Sequence, residues 1–435
     1  MNHKITEYLR NANSLTFVIY GMLVAFCTYS CMYAFRKPIM AATFDEQMYW
    51  GIDYKVLIIT SQVIGYTLSK FIGIKVVSEL GGNKRAIAIL TLIGISALGL
   101  FFFAITPAPY NLFFIFINGL PLGMVWGLVF NYLEGRTTTE LLGVGLAVTQ
   151  IFSSGFVKTI GSSLLIYVDV PEVWMPFVTG MIFMIPLLFF VWLLNLIPAP
   201  SERDIALRTA RRPMNGKERW NFFVTFMPGL VMLVATYTFL TVYRDFRDNF
   251  SADIWKSLGY GKNALIFTQT EIPIFLIVML AIGAMVMVKN NYAAFFINHW
   301  FVIFGVSLVG ILTRLFEMGY LSPEVWMSGI GLGLYLAYTT FGLMIFERLM
   351  STFKYLGTVG FIMYLADSSG YLGSVVILFY KNFAHPHIAW TDFFISMSYW
   401  LSGTCITMML ISMAYFQYKY AQNVKQNFAL EAQVS

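Results

Sequence analysis

Twelve times along its 435 residues the chain runs for about 20 residues that are mostly apolar, the length a helix needs to cross a bilayer. In lipid the backbone must satisfy its own hydrogen bonds, so runs of this length are read as helices. The expected cores are 15–38, 55–78, 85–106, 110–133, 139–168 and 173–197, then 221–246, 263–288, 292–316, 323–349, 355–381 and 391–419. Helices 4 and 5, and helices 10 and 11, have blurred ends. Between the sixth and seventh runs lies the longest polar stretch, with Arg203, Arg208, Arg211, Arg212, Lys217 and Arg219. That stretch divides the chain into a first six-helix half at 1–198, a basic linker at 199–220 and a second half at 221–435.

Composition agrees with a membrane protein: 58% of residues are hydrophobic and 11% charged, with a mean hydropathy of +0.70, which excludes an ordinary soluble domain. Cys27, Cys31 and Cys405 all lie in apolar runs, so neither a disulfide framework nor a thiolate metal cluster is expected, and no cofactor. The net charge of +6 gathers in short connections rather than in a nucleic-acid-binding surface. Lys84, Arg85, Arg136, Lys289 and Arg348 fall on alternate connections, which the positive-inside rule places in the cytoplasm with the linker and both termini. The first apolar run is longer than a signal-peptide core and is expected to be a retained helix. A single chain in the cell (inner) membrane is the expected form.

A permanently charged guanidinium inside such a run asks for a reason. Thr28-Tyr29 is followed by Arg36, and Thr236-Tyr237 by Arg244 at the same spacing. Equivalent arginines in equivalent helices point to a shared central site; the alternative is that each snorkels to the interface. A second echo joins Leu133-Glu134-Gly135-Arg136 after helix 4 to Glu347-Arg348-Leu349 after helix 10. Gly119, Gly123 and Gly127, with Gly329, Gly331 and Gly333, are read as helix-packing residues.

Two six-helix halves joined by a basic loop resemble the major facilitator superfamily, whose substrate site lies between its halves. The implied fold is an all-α membrane protein of 12 transmembrane helices in two six-helix bundles. Gly65-Tyr66-Thr67-Leu68-Ser69-Lys70-Phe71 is similar to the Y-G-x-S-K-F motif of the organophosphate:phosphate antiporter branch. By that resemblance Lys70 would line a phosphate pocket, Arg36 and Arg244 would grip the anion, and Glu271 would be a charge partner released by substrate. The chain departs from the branch in helix 5, where Thr149, Gln150, Ser153, Ser154 and Lys158 stand and histidine does not. Its four histidines, His3, His299, His385 and His387, lie elsewhere, and the loop after helix 2 is a reduced Ser78 to Arg85.

A planar guanidinium offers two parallel hydrogen bonds to an oxyanion, so Arg36 and Arg244 facing one another would supply four. Lys70 adds a point charge and Tyr33 a hydroxyl. Glu271 and Asp367 are intramembrane carboxylates, read as counter-ions to Arg244 and Lys158 in the empty carrier or as proton-coupling groups, with a structural Lys158 to Asp367 pair the alternative. Asp367-Ser368-Ser369-Gly370-Tyr371-Leu372-Gly373 is expected to be a polar break lining a cavity. An intramembrane enzyme is disfavoured, because no helix carries a His/Asp or His/Glu set at ligand spacing. The expected function is secondary active transport of a small organic anion, phosphate or a phosphate ester, by exchange. The alternative is a carrier-fold lipid translocase or a sensor that no longer transports. The bilayer and the anion are the expected partners, and no nucleic acid is.

Overall fold

A computed structural model describes residues 2–79, 84–136, 138–202, 204, 216–353, 355, 360–384 and 388–434. Arg203, Arg208, Arg211 and Arg212 of the linker, Leu80 to Asn83 of the reduced loop motif, and His385 and His387 lie outside these residues. A short amphipathic helix α1 (Asn2–Asn11) leads into the first half: α2 (Ser14–Tyr33), α3 (Tyr54–Glu79), α4 (Arg85–Ile105), α5 (Leu112–Phe130), α6 (Thr139–Tyr167) and α7 (Met175–Leu194). The second half has α8 (Gly216–Asn249), a short α9 (Ser251–Ser257), α10 (Ile266–Val286), α11 (Asn291–Glu317), α12 (Pro323–Thr340), α13 (Phe346–Thr352), α14 (Gly360–Ala384) and α15 (Trp390–Val434). Among the described residues, eleven helices are long and apolar enough to span a bilayer, with α12 and α13 counted as one. The twelfth expected span is α14, helical throughout and carrying Asp367 and Lys381. The arrangement is the major facilitator superfamily fold.

Where the structure departs from expectation, local chemistry explains it. The first spanning helix stops at Tyr33 rather than 38: the N–H groups of Ala34, Phe35 and Arg36 donate to carbonyls three residues back, a tighter winding that runs on into Pro38, which has no N–H to donate. A short 3₁₀ turn at Pro38–Ala41 follows. The carbonyls of Phe35 and Arg36, orphaned by the helix end, accept from Asn118 Nδ2 at 2.9 Å and Gln62 Nε2 at 3.2 Å. Residues 42–53 then form a connection that starts buried at Ala42 and Phe44 and becomes exposed in a small hairpin, β1 (Met48–Tyr49) against β2 (Ile52–Asp53), turned by Trp50 and Gly51 at positive φ.

The expected break at Asp367 to Gly373 is absent: the segment is regular helix, and Ser369 and Ser374 donate to carbonyls four residues back. The irregularity lies instead in helix 10, where Phe341–Ile345 is a π-helical insertion between α12 and α13.

Small residues set the closest crossings. A Cβ on Gly119 would sit 2.4 Å from the Gln62 carbonyl of α3, and one on Gly333 2.3 Å from the Gly305 carbonyl of α11. Gly331 differs from the packing role expected of it, since its missing side chain makes room for the Arg247 guanidinium. Across the halves, α6 packs on α10 and α3 on α14.

Candidate functional site

Between the halves lies a cavity of about 430 Å³ lined from both sides, by Tyr29, Tyr33, Arg36, Lys37, Tyr66 and Lys70 among others of the first half. Tyr237, Arg244, Asp245, Asp248, Tyr338 and Asp367 are among those facing them from the second. Five of the residues singled out in the sequence, Arg36, Arg244, Lys70, Tyr33 and Asp367, thus line one space. Glu271 and Lys158 do not; they border a separate small pocket with Gly155 and Arg247.

The two arginines are held differently. Arg36 lies three residues beyond the end of α2, where the helix's carbonyl end favours a cation. Its guanidinium stacks 3.7 Å from the centroid of Tyr66, and among the described residues its Nε has no hydrogen-bond partner and no ion pair engages it. Arg244, near the end of α8, donates from Nε at 3.1 Å and from a terminal nitrogen at 2.7 Å to Asp245 Oδ1, and lies 4.3 Å over the Tyr338 ring. Asp245 Oδ2 accepts from Ser374 at 2.8 Å.

Lys70, half-buried on α3, reaches across the cavity to Asp367 Oδ2 of α14 at 2.6 Å. The other Asp367 oxygen accepts from the Tyr237 hydroxyl at 2.6 Å, and that hydroxyl lies 3.1 Å from the Tyr338 hydroxyl. The expected pairing of Asp367 with Lys158 is therefore replaced by Asp367 with Lys70. The expected pairing of Glu271 with Arg244 is likewise replaced: Glu271 Oε1 accepts from Arg247 at 2.7 Å, while Arg247 also donates to the Met327 carbonyl at 3.1 Å. Arg247 lies three residues, nearly one turn, beyond Arg244, and that turn points it at α10 instead of the cavity.

At one end of the cavity the halves are latched together. Lys37 pairs with Asp248 and donates to Asn249 Oδ1 at 3.1 Å. Lys158 donates to Asp248 Oδ1 at 2.7 Å, to the Asp248 carbonyl at 3.0 Å and to Ser251 Oγ at 3.0 Å. Ser154 donates to the same carboxylate. Lys55 pairs with Asp253 at 2.6 Å and also donates to the Ala42 carbonyl at 2.7 Å. Nearer the surface Lys256 pairs with Asp45. Each of these ion pairs joins one half to the other. From the latch the lining runs toward Gly73, Trp126, Gly342 and Met363, near the opposite ends of their helices.

Sequence reasoning missed Lys37, Asp245, Arg247 and Asp248. The run Arg244-Asp245-Phe246-Arg247-Asp248, four charges in five residues at the end of an apolar helix, is the signal that marks three of them. Lys37 is marked only by standing next to Arg36.

The chain is similar over 92% of its length to a bacterial homologue of the human drug peptide transporters PepT1 and PepT2, at 11% identity and a TM-score of 0.61, covering 98% of that structure. It is similar to a D-xylose-proton symporter at 14% identity and a TM-score of 0.59, covering 92% of this chain and 97% of that one. A third likeness is to the POT family transporter PepTSo, at 13% identity and a TM-score of 0.58, over 94% and 98% of the two chains. These likenesses establish the fold. No curated protein matches in sequence. A family model does match, over residues 38–419, from just after Arg36 through most of α15, and the chain accordingly belongs to the family described as a family of unknown function, DUF5690.

Proposed function

We propose that this protein is a secondary active transporter that moves a small organic anion across the cell membrane by alternating access. The observation that carries the reading is the placement of Arg36 and Arg244, one from each half, on one cavity whose halves are latched at one end. An anion bound between two guanidiniums draws the halves together and offsets the repulsion of two buried cations. Breaking the latch would expose the same site to the other side. The similar structures are a D-xylose-proton symporter, a POT family transporter and a bacterial homologue of the human drug peptide transporters, and from them the transport reading, not the cargo, is carried over. Phosphate or a phosphate ester, moved by exchange, is the anion that the resemblance around Lys70 proposes. With the termini and basic connections in the cytoplasm, the latched end faces outward and the cavity inward.

The test is uptake of radiolabelled phosphate and glycerol phosphate into proteoliposomes, with unlabelled anion inside to drive exchange. Saturable uptake that requires both arginines is expected. Binding without uptake would favour the sensor reading, and uptake of a neutral or cationic solute with no competition by anions would remove the anion assignment.

A further inference from the structure

The latch carries a charge imbalance that transport by two arginines does not need. Two ammoniums, Lys37 and Lys158, share the one carboxylate of Asp248, and both lysines are at least nine-tenths buried. A buried cation without its own counter-ion is costly, and the cheapest relief is the loss of a proton.

Hydrogen-bond counting says which lysine loses it. An ammonium has three N–H donors and a neutral amine two. Lys158 has three acceptors, the Asp248 carboxylate, the Asp248 carbonyl and Ser251 Oγ, which suits an ammonium. Lys37 has two, the Asp248 carboxylate and Asn249 Oδ1, which suits an amine. Lys37 alone of the two also lines the cavity, so its proton has a way out. Asp248 accepts from both lysines and from Ser154, which holds it ionised.

The other charged groups around Lys37 act in both directions. Arg36, its chain neighbour, disfavours a second cation, whereas Asp245 on α8 favours one but is occupied by Arg244. On α9 Asp253 is taken by Lys55. Helix α7, which also packs on the 3₁₀ turn, has no titratable side chain.

Resting on the transport reading above, we infer that Lys37 is a proton-coupling group: it gives up one proton to the cavity when the latch closes and takes one up when the latch opens. The step is Lys–NH₃⁺ to Lys–NH₂ plus H⁺, with the proton passing to cavity water. A carrier that repeats it moves one proton per cycle from the latched side to the other.

The test measures the latch directly and needs no substrate. Spin labels at Tyr110 and Tyr320, exposed positions beside the latched end in opposite halves, report the ratio of separated to closed molecules for the full chain in proteoliposomes. A one-proton linkage makes that ratio fall up to tenfold per pH unit as pH rises, because the closed state binds fewer protons. Lys37→Gln should be flat with pH. Lys158→Met removes the surplus charge, returns Lys37 and Asp248 to a simple ion pair and should flatten the profile too, which keeps the test informative where Lys37→Gln fails to fold. A wild-type slope retained in either folded variant overturns the assignment to Lys37. A wild type that separates equally at every pH overturns proton coupling and leaves alternating access intact, whereas labels that never separate overturn both.

Discussion

Arg36 and Arg244 stand at the same spacing after a Thr-Tyr pair in the two halves, yet one is stacked on a ring without an ion pair among the described residues and the other is tethered to a carboxylate. The difference comes from the next residue. Where the second half has Asp245, which takes Arg244, the first half has Lys37, which reaches over to Asp248 of the second half. Both guanidiniums line the cavity, but the residue that follows, lysine in one half and aspartate in the other, ties Arg244 to its own helix and gives Arg36 no such neighbour. For the proposed anion the two arginines would then differ in role: Arg36 would be available at once, and Arg244 would first have to exchange Asp245 for it.

The strongest way to break this comparison is Arg36→Lys. The free guanidinium supplies a bidentate contact that a point charge does not reproduce, so anion uptake in proteoliposomes should fall about 100-fold or more, with the protein still folded by gel filtration. Arg244→Lys should cost less, about tenfold, because its fork is already committed to Asp245 in the empty site. Equal losses at the two positions would erase the distinction.

Asp245→Asn sharpens it further. With the tether weakened, Arg244 becomes as available as Arg36, and the apparent affinity for the anion should tighten, by a few-fold to about tenfold, while thermal stability drops. Weaker binding in this variant would mean that Asp245 orients the guanidinium rather than competing with substrate. Smallest of all is the Lys70 to Asp367 pair, half-buried and open to the cavity. A double-mutant cycle of Lys70→Met and Asp367→Asn on thermal unfolding should give a coupling of about 1 kcal/mol, since water screens both groups. A coupling several times larger would make this bridge a second latch.

How much of this was legible in the sequence follows from what each feature depends on. The helices and the polar linker rest on segment length and composition, which are local, and α14 is helical although it carries Asp367 and Lys381. Arg36, Lys70, Asp367 and Arg244 stood out because a charge in an apolar run is conspicuous wherever its partner lies. The pairings were a different matter. Glu271 was expected opposite Arg244 and is found on Arg247; Asp367 was expected with Lys158 and is found with Lys70. Residues one helical turn apart share nearly the same face, so spacing alone cannot say which of two arginines meets a carboxylate on another helix; their height along the axis and the rotation of the partner helix decide that.

The sequence by itself determined that the chain crosses a membrane in many helices and that unusual charges lie inside. These follow from the cost of polar groups in lipid, a property of each segment alone. Only the tertiary structure decided which lysine holds which aspartate, that Arg36 is left free, and that one end of the cavity is closed. Those outcomes depend on distances of a few ångströms between helices far apart in the chain; glycine spacing marks where helices approach closely, but which helix they meet, and at what height, is set by packing that no local pattern records.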